Sequence, residues 1–444
     1  MLHLFPPYLF GRIRDKGLTW CVRRFPSYLT RVVADISLLP LAILLRLVLL
    51  SLRPFVHVRF GQLWSPRLGP FALFTELYLC ERDAGMHPRK SLDIWYHYDR
   101  DGYALKNQVK ATRVISNQQL NVMWKRVMHL HETARFLDHL NRILPRSHQF
   151  IVNYYHADQQ FGLLDRSPPH VSFTEDEEER GLAGLRDMGI GPDDKFVCFH
   201  ARDSAYLDTA RPRNEAAFGD WSNSDDRDAS IENYIPAAQK LTELGYFAVR
   251  IGKYVKEPIH SNDPRIIDYA THFQSDFMDV FLAARCTFFL GQNSGMANLF
   301  QIFRKPVVFA NVHPLHDIPW CQYEKGIMIP RKYYSTREGR NLTYREVLEA
   351  GLGVTNLANA EFRALVDDFG LIIVENTPEE ICEVASEMHL KLQSDFSAEE
   401  DTMGLQARFK SILRAYPDMV PGLADNSRLT IGNHFLITHQ KILE

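Results

Sequence analysis

The stretch Lys195-Phe-Val-Cys-Phe-His200-Ala-Arg202-Asp203 decides the fold. Its first half is a short, nearly continuous apolar run, the pattern of a parallel strand buried on both faces. Its second half turns abruptly polar, with a histidine, an arginine and a carboxylate. Four more runs of the same kind follow: Tyr246–Ile251, Thr287–Gly291, Pro306–Asn311 and Leu371–Val374. Between them lie helix-like segments, Ile231–Leu244, Asp276–Arg285, Gly295–Phe303 and Pro378–Leu390. Alternation of this kind predicts a doubly wound α/β sheet, whose ligands sit beyond the carboxyl ends of the strands.

The residues at those strand ends are therefore the candidate site. Alternation places His200 and Arg202 on one side of an extended segment. An arginine there can hold a phosphate through two hydrogen bonds, and a histidine can donate one more. A surface pair of Arg202 with Asp203, with His200 satisfied in the core, explains the same residues. Arg250, Gly252 and Lys253 follow the second strand and would add two cations to the same edge. Gly291-Gln-Asn293-Ser294-Gly295 leads into a helix, so backbone N–H groups, a hydroxyl and a glycine could cradle an anion. Ordinary helix capping accounts for Asn293 and Ser294 equally well. Ser275 and Asp276 open the preceding helix as cap and dipole partner, with Asp279 one turn further in. Glu375, at the end of the last run, could accept ribose hydroxyls. Thr377 and Glu380 form a capping box with proline at the first helical position, as Thr174 and Glu177 do for the acidic helix that ends at Met188-Gly189.

Upstream, Phe71–Cys80 and Asp93–Tyr98 have strand length, and Asn117–Leu144 is helix-like. Arg67-Leu-Gly69-Pro-Phe71 reads as a tight turn. These segments suggest a first α/β domain. The expected division is an arm over 1–60, an acceptor-side domain over 61–170, a nucleotide-binding domain over 171–392 and a helical tail over 393–444.

Charge is uneven along the chain. Residues 1–60 carry nine cations against two carboxylates, net +7, in a chain of net −3, so the remainder carries −10. A basic arm on an acidic body suits a membrane surface and argues against nucleic acid as partner. Ile36–Leu52 is strongly apolar, with Pro40 and Arg46 inside it. Asp35, Arg46 and Arg53 fall on one helical face. A helix lying in the cytoplasmic membrane interface, within residues 30–60, fits best; a single span or a core-packed helix are the other readings. The six cysteines show no paired spacing and suggest a reducing compartment, with no zinc site.

With FVCFHARDSAYL (196–207), IENYIPAAQKL (231–241), SDFMDVFLAARCTFFLGQNSGM (275–296), FRKPVVFAN (303–311) and VENTPEEI (374–381), the chain resembles a bacterial family of glycosyltransferases of surface-polysaccharide synthesis. TELYLCERDAG (75–85) and SNQQLNVMWKR (116–126) extend the resemblance upstream. More distantly it is similar to GT-B-type fucosyltransferases. The resemblance implies two Rossmann-type domains facing a cleft, His200 and Arg202 on the donor diphosphate, Asp279 on the base, and Asn293, Ser294 and Gly295 as the phosphate loop. Asp203 directly after the arginine, and the lack of a second arginine there, depart from that pattern.

The expected activity is transfer of a sugar from a nucleotide-sugar donor to a glycan or lipid-linked acceptor, with no metal and no cofactor expected. Asp226-Arg-Asp228 and Asp99-Arg-Asp101 match a metal-binding DxD only formally, because neither follows an apolar strand. Fixed cations would neutralise the leaving diphosphate instead. Asp203, Glu76 and Asp83 are candidates for the general base. A nucleotide-sugar epimerase, or a non-catalytic membrane-bound nucleotide-binding protein, are the rival readings.

Overall fold

In the computed structural model of this chain, residues 30, 32–98, 114–153, 162–205, 226–322, 324–353, 359–394, 404–420, 422–423 and 429–444 are described. They form two compact units that interleave along the sequence. One comprises residues up to Leu63 with His87–His97 and Met128–Asn153; the other comprises Trp64–Met86, Tyr98–Val127 and everything from Tyr154.

The first unit is built on three parallel strands in the order β1 (His57–Leu63), β2 (Ser91–His97), β3 (His129–Leu130). Gly61 is required by the packing of this sheet, since a Cβ there would lie 2.4 Å from the Trp95 ring. The helices Leu39–Leu52 and Ala134–Ile143 cover the sheet, and Leu49, Val58, Phe60, Tyr96, Ala134 and Phe150 form the core. The polar face of the first helix turns inward. Arg46 donates to the carbonyls of Pro145 (2.9 Å) and Asn141 (3.2 Å), where cations suit a helix carboxyl end. Arg53 reaches Gln149 at 3.3 Å, and Asp35 lies 3.1 Å from His139. The leucines of the opposite face therefore point outward, with Leu44 and Leu47 both 57% exposed. The helix has 14 residues, about 21 Å at 1.5 Å per residue, too short for a hydrocarbon core of about 30 Å. No helix among the described residues is long and apolar enough to cross a membrane.

The second unit carries a six-stranded parallel sheet in the order β6 (Ile266–Asp268), β5 (Phe247–Arg250), β4 (Phe196–Phe199), β7 (Phe289–Gly291), β8 (Val307–Val312), β9 (Gly326–Pro330). Strands β4, β7, β8 and β9 are buried throughout, as their unbroken apolar runs require. The chain leaves β4 toward β5 and returns on the other side as β7, so the topological switch falls between β4 and β7. A crevice must open there, at the carboxyl ends of the strands.

Two expectations are corrected. Leu371–Val374 is a strand, β12, but lies outside the parallel sheet. It pairs antiparallel with β10 (Lys332–Ser335), which also pairs with β11 (Arg340–Asn341). Phe71–Cys80 is helical, not a strand: a π-helical stretch over Pro70–Phe74 runs into the α-helix Thr75–Asp83. Thr75 to Glu81 are all buried, so the segment shows no amphipathic period and reads equally as a buried strand. Asn117–Leu144 divides into Gln118–Val127 and Ala134–Ile143, one helix in each unit. The capping boxes at Thr174 and Thr377 are present, and Gly189 takes the left-handed conformation with φ of 78°.

Candidate functional site

At the switch point lies a cavity of about 420 Å³, wholly within the second unit. The loops that follow β5, β4, β7 and β8 supply its walls, together with the turn at Arg67–Pro70.

The floor is made by two helix amino termini. Ser294 precedes the helix Gly295–Ile302, and Gly69 precedes the Pro70 helical stretch. Their backbones touch. A Cβ on Gly69 would lie 2.9 Å from the Gly295 Cα, and one on Gly295 would lie 2.8 Å from the Gly69 nitrogen. Only glycine at both places lets the termini approach this closely, and each brings a positive dipole end to the cavity. The Ser294 hydroxyl does not cap its own helix. It is buried on the cavity wall and, among the described residues, has no hydrogen-bond partner.

Four cations line the same cavity: Arg67, Arg202, Arg227 and Lys253. The last three are each held by a carboxylate. Arg202 pairs with Asp228, Arg227 with Asp317 at 3.1 Å, and Lys253 with Asp276 at 2.7 Å. Gln292 ties the loops together: its amide oxygen accepts from the Arg202 N–H (2.5 Å) and its amide nitrogen donates to the Arg227 carbonyl (2.6 Å). Buried Arg331 donates to the carbonyls of Asp226 (2.6 Å) and Asp228, fixing the turn that carries Arg227. Arg227 thus reaches the cavity from 25 residues beyond Arg202 in the sequence. The formal DxD motif around it is an arginine-bearing loop in which Asp228 serves as the partner of Arg202. The Asp99-Arg-Asp101 motif lies outside the described residues.

His200 lines the cavity, and burial lowers its pKa to about 4. Its Nδ1 lies 2.9 Å from the Ile251 carbonyl, which can only accept, so Nδ1 carries the proton. A neutral ring bonded this way presents Nε2 as an acceptor. The nitrogen left facing the cavity is thus an acceptor in the neutral ring, not the phosphate donor that the sequence suggested. Asp279 is buried beside the cavity; burial raises its pKa to about 6 against hydrogen bonds from Tyr269 (2.8 Å) and Gln274 (2.9 Å). Burial likewise raises Asp317, which accepts a bond of 3.0 Å from Asn293.

Other expected site residues serve the scaffold. Arg250 is 3% exposed, bound to Asp268 (3.3 Å) and the Glu257 carbonyl (2.7 Å), and does not reach the cavity. Ser275 caps its helix by accepting from the Met278 N–H. Asp276 anchors Lys253 and accepts from the Gln118 N–H (2.8 Å). Glu375 accepts from the Ser230 N–H and the Asn233 amide, both at 3.1 Å. Asp203 lines the cavity, but its two oxygens accept the N–H groups of Ala205 (2.9 Å) and Lys256 (3.0 Å), which braces two loops.

Glu76 and Asp83 belong to a separate cluster. Glu76, fully buried, accepts from Arg304 (2.6 Å) and His170 (2.9 Å), and His170 also donates to Asp83 (2.9 Å). Burial works against charge on His170, but hydrogen bonds to Cys80, Glu76 and Asp83 outweigh it and raise the pKa to about 10. Glu76, Cys80 and His170 stand close enough to hold a metal ion. The Arg304 guanidinium already contacts Glu76 and lies 3.5 Å from the Cys80 Sγ. A fixed cation touching two of the three ligands, with the histidine protonated, makes this donor set a poor fit for a metal.

No protein-family model matches the chain, and no curated protein matches it. Among solved structures it is similar to the ADP-heptose LPS heptosyltransferase II of Escherichia coli, at 13% identity over 76% of this chain and 100% of that one, with a TM-score of 0.36. It is also similar to a family 9 glycosyl transferase from Veillonella parvula, at 13% identity over 76% and 98% of the two chains, with a TM-score of 0.40. A third is the iron-containing dodecameric glycosyltransferase TibC of enterotoxigenic E. coli, at 12% identity over 76% and 80%, with a TM-score of 0.30. At such identities the likeness concerns the fold alone.

Proposed function

We propose that this chain is a GT-B-like glycosyltransferase that moves a sugar from a nucleotide-sugar donor to a glycan or lipid-linked acceptor in cell-surface polysaccharide synthesis. The observation that carries the reading is the buried Ser294 hydroxyl, unpartnered among the described residues, where two helix amino termini meet. A donor group without an acceptor, in a field of positive partial charge and beside Arg202, Arg227 and Lys253, is what a diphosphate would satisfy. Charge on the leaving nucleoside diphosphate is then stabilised by fixed cations and dipoles, so the reaction is metal-independent.

In the proposed step the acceptor hydroxyl oxygen attacks the anomeric carbon while the bond from that carbon to the phosphate oxygen breaks. The nucleoside diphosphate leaves with the electron pair, and the hydroxyl proton passes to a base. A single displacement of this kind inverts the anomeric centre. The cavity-lining groups able to take a proton are the carboxylates of Asp203, Asp279 and Asp317 and the Nε2 of His200.

The outward leucines of Leu39–Leu52, with Phe55 77% exposed beyond them, support a peripheral seat on the inner face of the cell membrane. The basic arm before the helix would add attraction to anionic lipid. Calorimetric titration of the full chain with UDP, GDP, CDP and ADP tests the nucleotide site. Saturable binding of one of them is expected, and binding of none would overturn the reading.

A further inference from the structure

The cavity has a wall that phosphate recognition does not use. Phe74 and Trp320 both line it, their rings stacked with centroids 5.7 Å apart and planes 20° from parallel. Neither is a core residue, because each keeps part of its surface open. Trp320 belongs to the 3-10 helix Leu315–Cys321 that follows β8. In such a helix side chains at i and i+3 eclipse, so Asp317 and Trp320 share a face. Asp317 in turn is bound to Asn293 of the phosphate loop (3.0 Å) and to Arg227 (3.1 Å). The aromatic wall thus adjoins the anion cradle through a single carboxylate.

Strand order sets what lies on either side of that cradle. The loops run in the order β5, β4, β7, β8, with neighbouring strands about 4.8 Å apart. Of the anion-binding groups, Arg202 and the Asn293–Gly295 loop follow the two central strands, β4 and β7, and Lys253 follows β5. A ligand with a diphosphate at its centre has two ends. In a nucleotide sugar the pyranose is bonded directly to the phosphate, whereas the base stands one ribose away. The Asn293–Gly295 loop follows β7, whose outer neighbour is β8, whereas β5 lies two strands away. The chemistry at the β8 end also suits a pyranose, which offers an apolar C–H face to an aromatic ring and hydroxyls to an adjacent acceptor such as Asp317.

We infer that Phe74 and Trp320 form the subsite for the donor's sugar ring, with Asp317 accepting its hydroxyls. The inference rests on the nucleotide-sugar reading above and names the part of the cavity that would distinguish a donor from a bare nucleotide.

The test compares Kd values for matched pairs (UDP and UDP-glucose, GDP and GDP-mannose, ADP and ADP-glucose) in the full-length wild type and in Trp320→Ala, Phe74→Ala and Trp320→Phe. For the base that the wild type binds, the alanine variants should lose about tenfold in affinity for the nucleotide sugar and stay within about twofold for the nucleoside diphosphate. Trp320→Phe, which keeps a flat apolar face and guards against a folding defect, should retain most of the affinity. Equal loss for both ligands would assign the wall to the base and overturn the inference, as would no loss for either. A wild type that binds the diphosphate but no nucleotide sugar overturns the subsite alone; one that binds neither overturns the nucleotide reading itself.

Discussion

Gly69 and Gly295 meet backbone against backbone, so that a methyl group on either would stand within 3 Å of the other's main chain. This contact brings two helix amino termini to one point on the cavity floor. A second tie joins the two segments, the bond from Arg304, just past one helix, to Glu76 near the start of Thr75–Asp83. The pair is thus fixed at two points.

Gly69→Ala or Gly295→Ala should therefore separate the termini. Overpacking against backbone costs about 1–3 kcal/mol, which differential scanning calorimetry would register as a lower Tm. Nucleoside diphosphate affinity should fall with it. Unchanged Tm and unchanged affinity would show that the contact is dispensable.

Arg202→Ala and Arg227→Ala each remove a guanidinium from the cavity wall. Loss of a positioned donor to a leaving group lowers rate by about 10²–10³, read as kcat/KM for sugar transfer. Activity should persist in a chelator. Loss of activity on chelation, or full activity in Arg202→Ala, would contradict the fixed-cation scheme.

The Glu76–His170–Asp83 cluster gives a pH signature. With the folded pKa of His170 raised to about 10, above the ordinary value near 6.5, the unfolded chain loses this proton first as pH rises. Its stabilising effect is complete below about pH 6.5 and is lost as pH approaches about 10. Thermal melts across that window should show a steeper decline for the wild type than for His170→Gln. Parallel curves would indicate that His170 is not held protonated.

Leu44 and Leu47 offer a test of the membrane seat. Both are 57% exposed, so Leu44→Glu with Leu47→Glu should leave Tm nearly unchanged. Cosedimentation with vesicles containing phosphatidylglycerol should drop sharply in the double variant. Equal sedimentation of variant and wild type would exclude this face as the contact.

How much of this could be read in the sequence depended on what signal each residue leaves. The parallel strands announced themselves because burial on both faces demands unbroken apolar runs, and Arg202 and Ser294 followed from their positions at strand ends. Arg227 did not, because it stands in a polar loop after 206–225 and contacts distant in sequence, with Arg331, Gln292 and Asp317, hold it at the cavity. Phe71–Cys80 was misread as a strand since a helix buried all round has no amphipathic period. Arg250 looked like a site cation, yet its partner Asp268 sits on the neighbouring strand, a pairing that register alone reveals. The polar face of Leu39–Leu52 was visible, but not that it docks inward on Asn141 and Pro145.

The most direct test is calorimetric titration of the wild type and Ser294→Ala with the nucleoside diphosphate that the wild type binds. The Ser294 hydroxyl has no partner among the described residues, so its removal should leave Tm within about 1 °C, a change of a few tenths of a kcal/mol. A lost hydrogen bond to a charged phosphate is worth about 1.5–3 kcal/mol, so affinity should fall about 10- to 100-fold. Undiminished affinity in Ser294→Ala, or a wild type that binds no nucleoside diphosphate, would contradict the account.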